Sequence, residues 1–153
     1  MLVVARYTDG RVVKGRTTDF HPELESFHVQ GPSDVSPERV PVSGLKAVFF
    51  VRTLGGNPEY QDHREFPSGV GVRRKLWLKF KDGERMAAWP VSVSLGRRGF
   101  YVLPTDRDSN LEKAYVFRGA VDAILEGREA ENAAAAEARR RRSDTLTEIV
   151  GVG

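Results

Sequence analysis

The chain has 153 residues, with 24 Lys and Arg against 21 Asp and Glu, and no cysteine. This length allows one or two small domains, and without cysteine there is neither a disulfide framework nor a thiolate zinc site. The composition, 40% hydrophobic and 29% charged, is that of a globular protein, and no apolar run reaches the roughly 20 residues that cross a bilayer. Because Arg6 interrupts the first apolar run, we expect no secretory signal and a cytoplasmic protein without membrane contact.

An internal repeat occupies most of the chain. Residues 3–29 align without a gap on residues 76–102, and the Asp9-Gly10 pair falls on Asp82-Gly83. With two extra loop residues in the second copy, the match continues to the end of each copy. The chain therefore consists of two related units of about 50 residues, which predicts two copies of one fold.

Each copy has the pattern of five short strands, separated by Asp-Gly, Pro- or Gly-bearing turns and polar loops. A two-residue loop at the first Asp-Gly turn would mix apolar with charged side chains on one face, whereas a three-residue loop pairs Ala5 with Val13. We therefore predict the three-residue loop in both hairpins, with Gly10 and Gly83 at positive φ. In the second hairpin this register pairs Leu76 with Ala88 and Leu78 with Met86, and it buries Leu76, Leu78, Phe80 and Met86.

Short bent strands in this order, the last two joined by a tight turn, favour a small barrel. Because a barrel of about 50 residues has little core of its own, we expect two of them to pack together. The predicted fold class is all-β, with two tandem SH3-like or Sm-like small barrels followed by a C-terminal helix and tail. The predicted segments are a first barrel at 1–51, a linker at 52–72, a second barrel at 73–125, a solvated helix at 126–142 and a flexible tail at 143–153.

The C-terminal helix is predicted from composition. Residues 128–142 combine strong helix formers with early Glu, late Arg and no large apolar side chain, which is typical of a solvated helix. We interpret the run Arg139 to Arg142 as a cap of the helix, with a nucleic-acid or anionic-surface patch as the alternative. The apolar residues beyond it either stay disordered, which we favour, or dock as an added strand on a neighbour.

The two copies differ in charge. Residues 1–50 hold six basic and six acidic residues, whereas residues 73–124 hold eleven basic and six acidic residues, a net of +5. On the outward face of the second hairpin, tryptophans alternate with cations, a combination suited to single-stranded nucleic acid. The alternative, which we favour, is that the other barrel or the helix covers the tryptophans. The candidate binding residues of the second copy are Lys75, Trp77, Lys79, Arg85, Trp89, Arg97, Arg98 and Arg118.

No combination of residues indicates catalysis or a cofactor. His21, His28 and His63 are not at metal-ligand spacing, so no metal site is predicted. Asp9 and Asp82 precede Gly in equivalent turns and are interpreted as turn formers. Without a nucleophile, a base and an orienting group that could act together, we expect neither an enzyme nor a bound cofactor.

Several stretches resemble known families. The run VFRGAVDAI at 116–124 resembles the second signature of Sm and Sm-like proteins, and VARYTDGRVVKGRTTDF resembles the first. More closely, VARYTDGRVVKG, VPVSGLKAVFFV, GNPEY and GFYVLPTDRDSN are similar to an uncharacterised bacterial family of Sm-like domains that is sometimes associated with PilZ domains. The resemblance covers residues 1–125 and implies a small barrel in each copy. It also implies that Arg118, which matches the Arg-Gly turn of Sm proteins, would flank a bound base.

We therefore predict a non-catalytic binding or adaptor module of a bacterial regulatory or assembly system, with a protein as its partner. The alternative is an Sm-like protein that binds RNA or single-stranded nucleic acid through its basic second barrel. Either function is compatible with a homo-oligomer, because barrels could pair within one chain or between chains.

Overall fold

The computed structural model describes residues 1–56, 65–67, 74–92, 95–106 and 108–151. The first copy contains β1 (Leu2–Tyr7), β2 (Val12–Arg16), β3 (Ser26–Val29), β4 (Glu38–Pro41) and β5 (Leu45–Val51). The second copy contains β6 (Leu76–Phe80), β7 (Arg85–Pro90), β8 (Gly99–Pro104), β9 (Leu111–Phe117) and β10 (Val121–Glu126), with a 3-10 turn at Arg118–Ala120. One helix, α1 (Arg128–Gly151), follows β10. A mostly β protein with a C-terminal helix is thus confirmed.

The two copies match strand for strand, from β1 and β6 to β5 and β10. Both hairpin turns have a glycine at positive φ, +97° at Gly10 and +91° at Gly83. The N–H of each glycine donates to the carbonyl three residues earlier, at 3.1 Å and 2.9 Å. The turns are therefore equivalent, as the repeat predicts.

The predicted hairpin register is confirmed. Ala5 lies opposite Val13 in the first copy, and Leu78 lies opposite Met86 in the second. The apolar side chains of this register face the interior, where Leu78 is fully buried and Met86 is half-buried. Turn geometry and apolar alternation, both local properties, were sufficient to fix it.

The strand pairing differs from the predicted pair of separate barrels. Eight strands form one sheet in the order β10-β6-β7-β8-β9-β5-β1-β2, and β3 pairs with β4 in a second, two-stranded sheet. The copies join where β5 runs antiparallel to β9, with Ala47 opposite Val116 and Val51 opposite Leu111. Neither sheet closes on itself, and tandem small barrels are not confirmed. The physical reason is that the exposed edges of β5 and β9 satisfy each other across the joint.

Side-chain alternation along the joining strands gives the two largest apolar cores residues from both copies. Val48 and Phe50 of β5 face the first core, which also contains Tyr115 of the second copy. Ala47 faces the second core, together with Val116. Because neither core is built from one copy alone, the two copies fold as a joined unit.

Helix α1 differs from the predicted solvated helix along one face. Ala130, Ala134 and Ala138 are buried, and the first two pack against Trp77 and Ala87 of the second copy. Small side chains four residues apart form a flat stripe that lets the helix approach the sheet closely without large apolar residues. The helix also continues to Gly151, through the segment predicted as a tail. The predicted linker lies mostly outside the described residues.

Candidate functional site

The structure places the predicted binding residues in two locations. Five of them lie on the hairpin of β6 and β7 or next to it, on or beside the face where α1 packs: Lys75, Trp77, Lys79, Arg85 and Trp89. The other three lie in the turn before β8 and in the 3-10 turn: Arg97, Arg98 and Arg118. Whether any of them binds a ligand stays a prediction.

Both tryptophans of the hairpin are covered. Trp77 is 1% exposed and Trp89 is 7% exposed. The Trp77 ring packs against Ala130 and Ala134 of α1, and the Trp89 ring centre lies 5.3 Å from that of Phe66. The favoured interpretation therefore describes Trp77, which the helix covers, whereas the ring contact of Trp89 is with Phe66. Neither indole is open for stacking in this arrangement.

The cations beside the tryptophans face carboxylates of α1. Lys75 donates a hydrogen bond to Glu131, and this bond holds the pKa of the Glu131 carboxyl below its usual value. Arg85 Nη1 lies 4.0 Å from Glu137 Oε1. Lys79 is exposed. The helix therefore supplies both apolar contact and negative charge to the same face.

Of the three arginines in the turns, Arg98 and Arg118 contact backbone carbonyl groups, and Arg97 is exposed. Arg98 Nη1 donates to the carbonyl oxygen of Glu23 at 3.1 Å, which links the two copies. Arg118 Nη1 lies 3.4 Å from the carbonyl oxygen of Gly96, and its N–H donates to the Arg98 carbonyl at 3.0 Å. These bonds bring Arg98 and Arg118 together, in surroundings that remain exposed.

A groove that the sequence did not indicate lies at the joint between the copies. It has a volume of about 600 Å³. One wall is the face of β1 and β2 that carries Val4 opposite Lys14. The other wall is the start of β7, and the lining also includes Phe49, Val51, Glu84, residues 54–56, 104–106 and 109–111, and Arg141. The walls face each other because β5 pairs with β9, a contact that no local sequence pattern predicts.

The groove combines cations with an apolar lining. Its cationic side chains are Arg6, Lys14, Arg85 and Arg141, and its largest apolar ones are Phe49, Met86 and Leu111. Among the described residues, neither Arg6 nor Lys14 has a salt-bridge partner. Of the two carboxylates, Glu84 is bound to a lysine, and Asp106 is buried and accepts a backbone N–H at 3.0 Å. The groove therefore attracts negative charge.

A buried lysine joins the two copies beside the groove. Lys46 of β5 is 2% exposed, and its Nζ lies 2.7 Å from Asp82 Oδ2 and 2.5 Å from Glu84 Oε2. The ammonium also lies 4.5 Å from the centre of the Phe80 ring. Burial alone would raise the pKa of Asp82, but hydrogen bonds from Lys46 and from the Glu84 N–H lower it below its usual value. The corresponding turn of the first copy has only an exposed pair, Asp9 with Arg11.

The described residues show no grouping of three or more His, Asp or Glu side chains that could hold a metal ion. His28 instead contacts Asp19, with Nδ1 2.7 Å from the carboxylate, and its backbone N–H donates to the same group. These bonds lower the pKa of Asp19. In the same described part of the chain, no helix has both the length and the apolar character needed to cross a membrane.

The fold and the groove define a mostly β protein of two fused repeats, with a helix packed on the second. The chain belongs to DUF6982, a family of unknown function, which it matches over residues 2–127. The match spans both copies and ends where α1 begins. No curated protein and no solved structure matches the chain. These comparisons give no support to the resemblance to Sm-like domains or to an association with PilZ domains.

Proposed function

We propose that the protein is a non-catalytic binding module that takes an acidic, extended segment of a partner protein into the groove at the joint. The observation that carries the proposal is the lining of the groove, where cations lie beside apolar side chains. Carboxylates of the segment would pair with Arg6 and Lys14, and its apolar side chains would cover Phe49 and Met86. The volume of about 600 Å³ is within the range of ordinary ligand sites.

A peptide segment suits this groove better than RNA does. Proteins that bind single strands without reading sequence stack successive bases on several aromatic rings. Among the described residues that line the groove, Phe49 is the one aromatic side chain. Electrostatic attraction would therefore act on either ligand, but the apolar lining favours a peptide with apolar side chains between its carboxylates.

We also infer that each copy is an SH3-like or Sm-like unit, in a module that acts as an adaptor in a bacterial regulatory or assembly system. The order β5-β1-β2 in the first copy matches β10-β6-β7 in the second, where it continues with β8 and β9, and this match supports the inference. The bridge between Arg16 and Gln30 brings β3 next to β2, so the first copy follows the order of the second. Each unit would be an open barrel and not a closed one, because β5 and β9 pair with each other.

The experiment uses peptides selected from a random displayed library against the whole chain. We expect the selected sequences to combine Asp or Glu with apolar residues, and their binding to weaken as salt screens the charges. The double variant Arg6→Ser with Lys14→Ser should bind about tenfold more weakly or worse, because it removes two cationic contacts.

The matched control is Arg39→Ser with Lys81→Ser, which removes the same charge from exposed positions outside the groove. It should bind like the unmodified chain. Selection of basic peptides, or equal binding by the two double variants, would contradict the proposal. If a single-stranded oligonucleotide binds the unmodified chain but not the Arg6→Ser with Lys14→Ser variant, the ligand of the groove is nucleic acid and not a peptide.

A further inference from the structure

The outward face of the hairpin occurs twice in the molecule, once in each copy. At the repeat offset, Trp77 corresponds to Val4, Lys79 to Arg6 and Ala87 to Lys14. In the first copy these positions line the open groove. In the second copy Trp77 and Ala87 lie under α1. The helix therefore occupies, on the second copy, the surface whose counterpart in the first copy lines the groove.

The contacts of α1 with this face are small and partly exposed. Its buried residues opposite Trp77 are alanines, which contribute one methyl group each. Each of its two ion pairs with the hairpin has one exposed member. Glu131 is 45% exposed and binds Lys75, which is 16% exposed, and Arg85 is 42% exposed and lies near Glu137, which is 9% exposed. Salt screens such partly exposed pairs.

The helix can leave the face without losing its own structure. Six of the nine residues from Ala130 to Ala138 are alanine, the residue with the highest helix propensity. Gly127, which joins β10 to α1, has φ +60°, and a glycine there can change its backbone angles at little steric cost. Displacement of α1 therefore requires rotation at Gly127, the loss of the two ion pairs and the exposure of Trp77, whose ring a stacked base would cover again.

We infer that α1 is a displaceable cover over a second binding surface, and that the ligand of this surface is single-stranded nucleic acid. The surface consists of Lys75, Trp77, Lys79, Arg85 and Trp89; α1 covers Trp77, and Phe66 contacts Trp89. Once uncovered, the two indoles supply faces on which bases stack, and the cations supply partners for phosphates. The Glu131 carboxylate contacts Lys75, and the Glu137 carboxylate lies near Arg85. The two carboxylates therefore occupy the positions where phosphate groups would bind. The inference concerns a different ligand from that of the groove, and a surface that adjoins the groove and shares Arg85 with it.

Intrinsic fluorescence tests the inference directly, because Trp77 and Trp89 are the two tryptophans of the chain. A short deoxythymidine oligonucleotide is titrated into the full chain at low salt, with binding followed by anisotropy of a labelled oligonucleotide and stacking followed by tryptophan emission. We expect binding to quench the emission. A duplex of the same length should not quench it, because its bases are already stacked.

A charge variant of the helix tests the cover. Glu131→Gln with Glu137→Gln removes both carboxylates that face the hairpin, so the oligonucleotide should bind about three- to tenfold more tightly. The control, Glu112→Gln with Glu129→Gln, removes the same charge from exposed positions on β9 and α1. It should increase the affinity for the oligonucleotide by a smaller factor. Circular dichroism and urea unfolding establish that both variants are folded.

Three outcomes overturn the inference: no binding by any variant, binding without a change in tryptophan emission, or equal gains in the two double variants. The test is independent of Arg6 and Lys14 of the groove, because the Arg6→Ser with Lys14→Ser variant should still bind the oligonucleotide, and its tryptophan emission should still be quenched. Loss of oligonucleotide binding in that variant would assign the nucleic acid to the groove and would overturn this inference.

Discussion

The carboxylates that contact Lys46 can be neutralised without a change of size by the double substitution Asp82→Asn with Glu84→Gln. Because Lys46 is 2% exposed, this variant leaves a charged ammonium buried beside the Phe80 ring. Removal of the partners of a buried charge costs about 3–5 kcal/mol of unfolding free energy. We expect about 3 kcal/mol, since the amide oxygens still accept hydrogen bonds and an amide at position 82 keeps the turn bond to the backbone N–H of residue 84.

The opposite substitution, Lys46→Met, should cost much less. It leaves two carboxylates whose side chains are 33% and 42% exposed, so water can solvate them. The methionine side chain keeps the length of the lysine stem and packs on Phe80. We expect a loss within about 1 kcal/mol.

Urea unfolding of both variants, followed by tryptophan emission and circular dichroism, measures the difference. A double carboxylate variant that is as stable as Lys46→Met would refute the argument that burial of the ammonium makes the pair costly to break. The internal repeat supplies the control, since Asp9→Asn with Arg11→Gln changes the exposed pair of the equivalent turn. That control should leave the unfolding midpoint unchanged.

Three further predictions concern pH and glycine positions. Because the folded-state pKa of Asp82 is below its ordinary value of 3.8, its contribution to stability is present above that value and is lost as pH falls through the folded pKa. Asp82→Asn should therefore reduce the loss of stability measured by urea unfolding between about pH 5 and pH 2. Gly10→Ala and Gly83→Ala should each cost about 1–2 kcal/mol, because both sites have positive φ. Gly15→Ala should lower the urea midpoint further than Ala88→Gly, its counterpart in the second copy, because the new methyl group would collide with the Gln30 carbonyl.

The features that were predictable from the sequence depend on residues close together in the chain. The Asp-Gly turns and the alternation around them determined the hairpin registers, which pair Ala5 with Val13 and Leu78 with Met86. The offset of the repeat predicted the equivalence of the strands. The pairing of β5 with β9 was not predictable in this way, because any exposed edge of either copy could have satisfied the same backbone groups.

The same distinction between local features and contacts distant in the sequence applies to the candidate site. Alternation placed Trp77 and Trp89 on the outward face, and the size of the rings favoured a cover over them. The helix gave no sign of being that cover, because its buried residues are alanines rather than large apolar side chains. The groove was missed because its lining comes from both copies and from Arg141 of α1.

Duplication explains why one outward hairpin face is open and the other is covered. The backbone of the two faces is equivalent, but the first presents Arg6 and Lys14, whose cationic ends are stable in water, beside the buried Val4. The second presents two indoles, whose exposure would leave a large apolar patch on a small protein. A cover is therefore needed on the second copy alone, and α1 follows the last strand of that copy directly through Gly127. The first face stays free to form the wall of the groove.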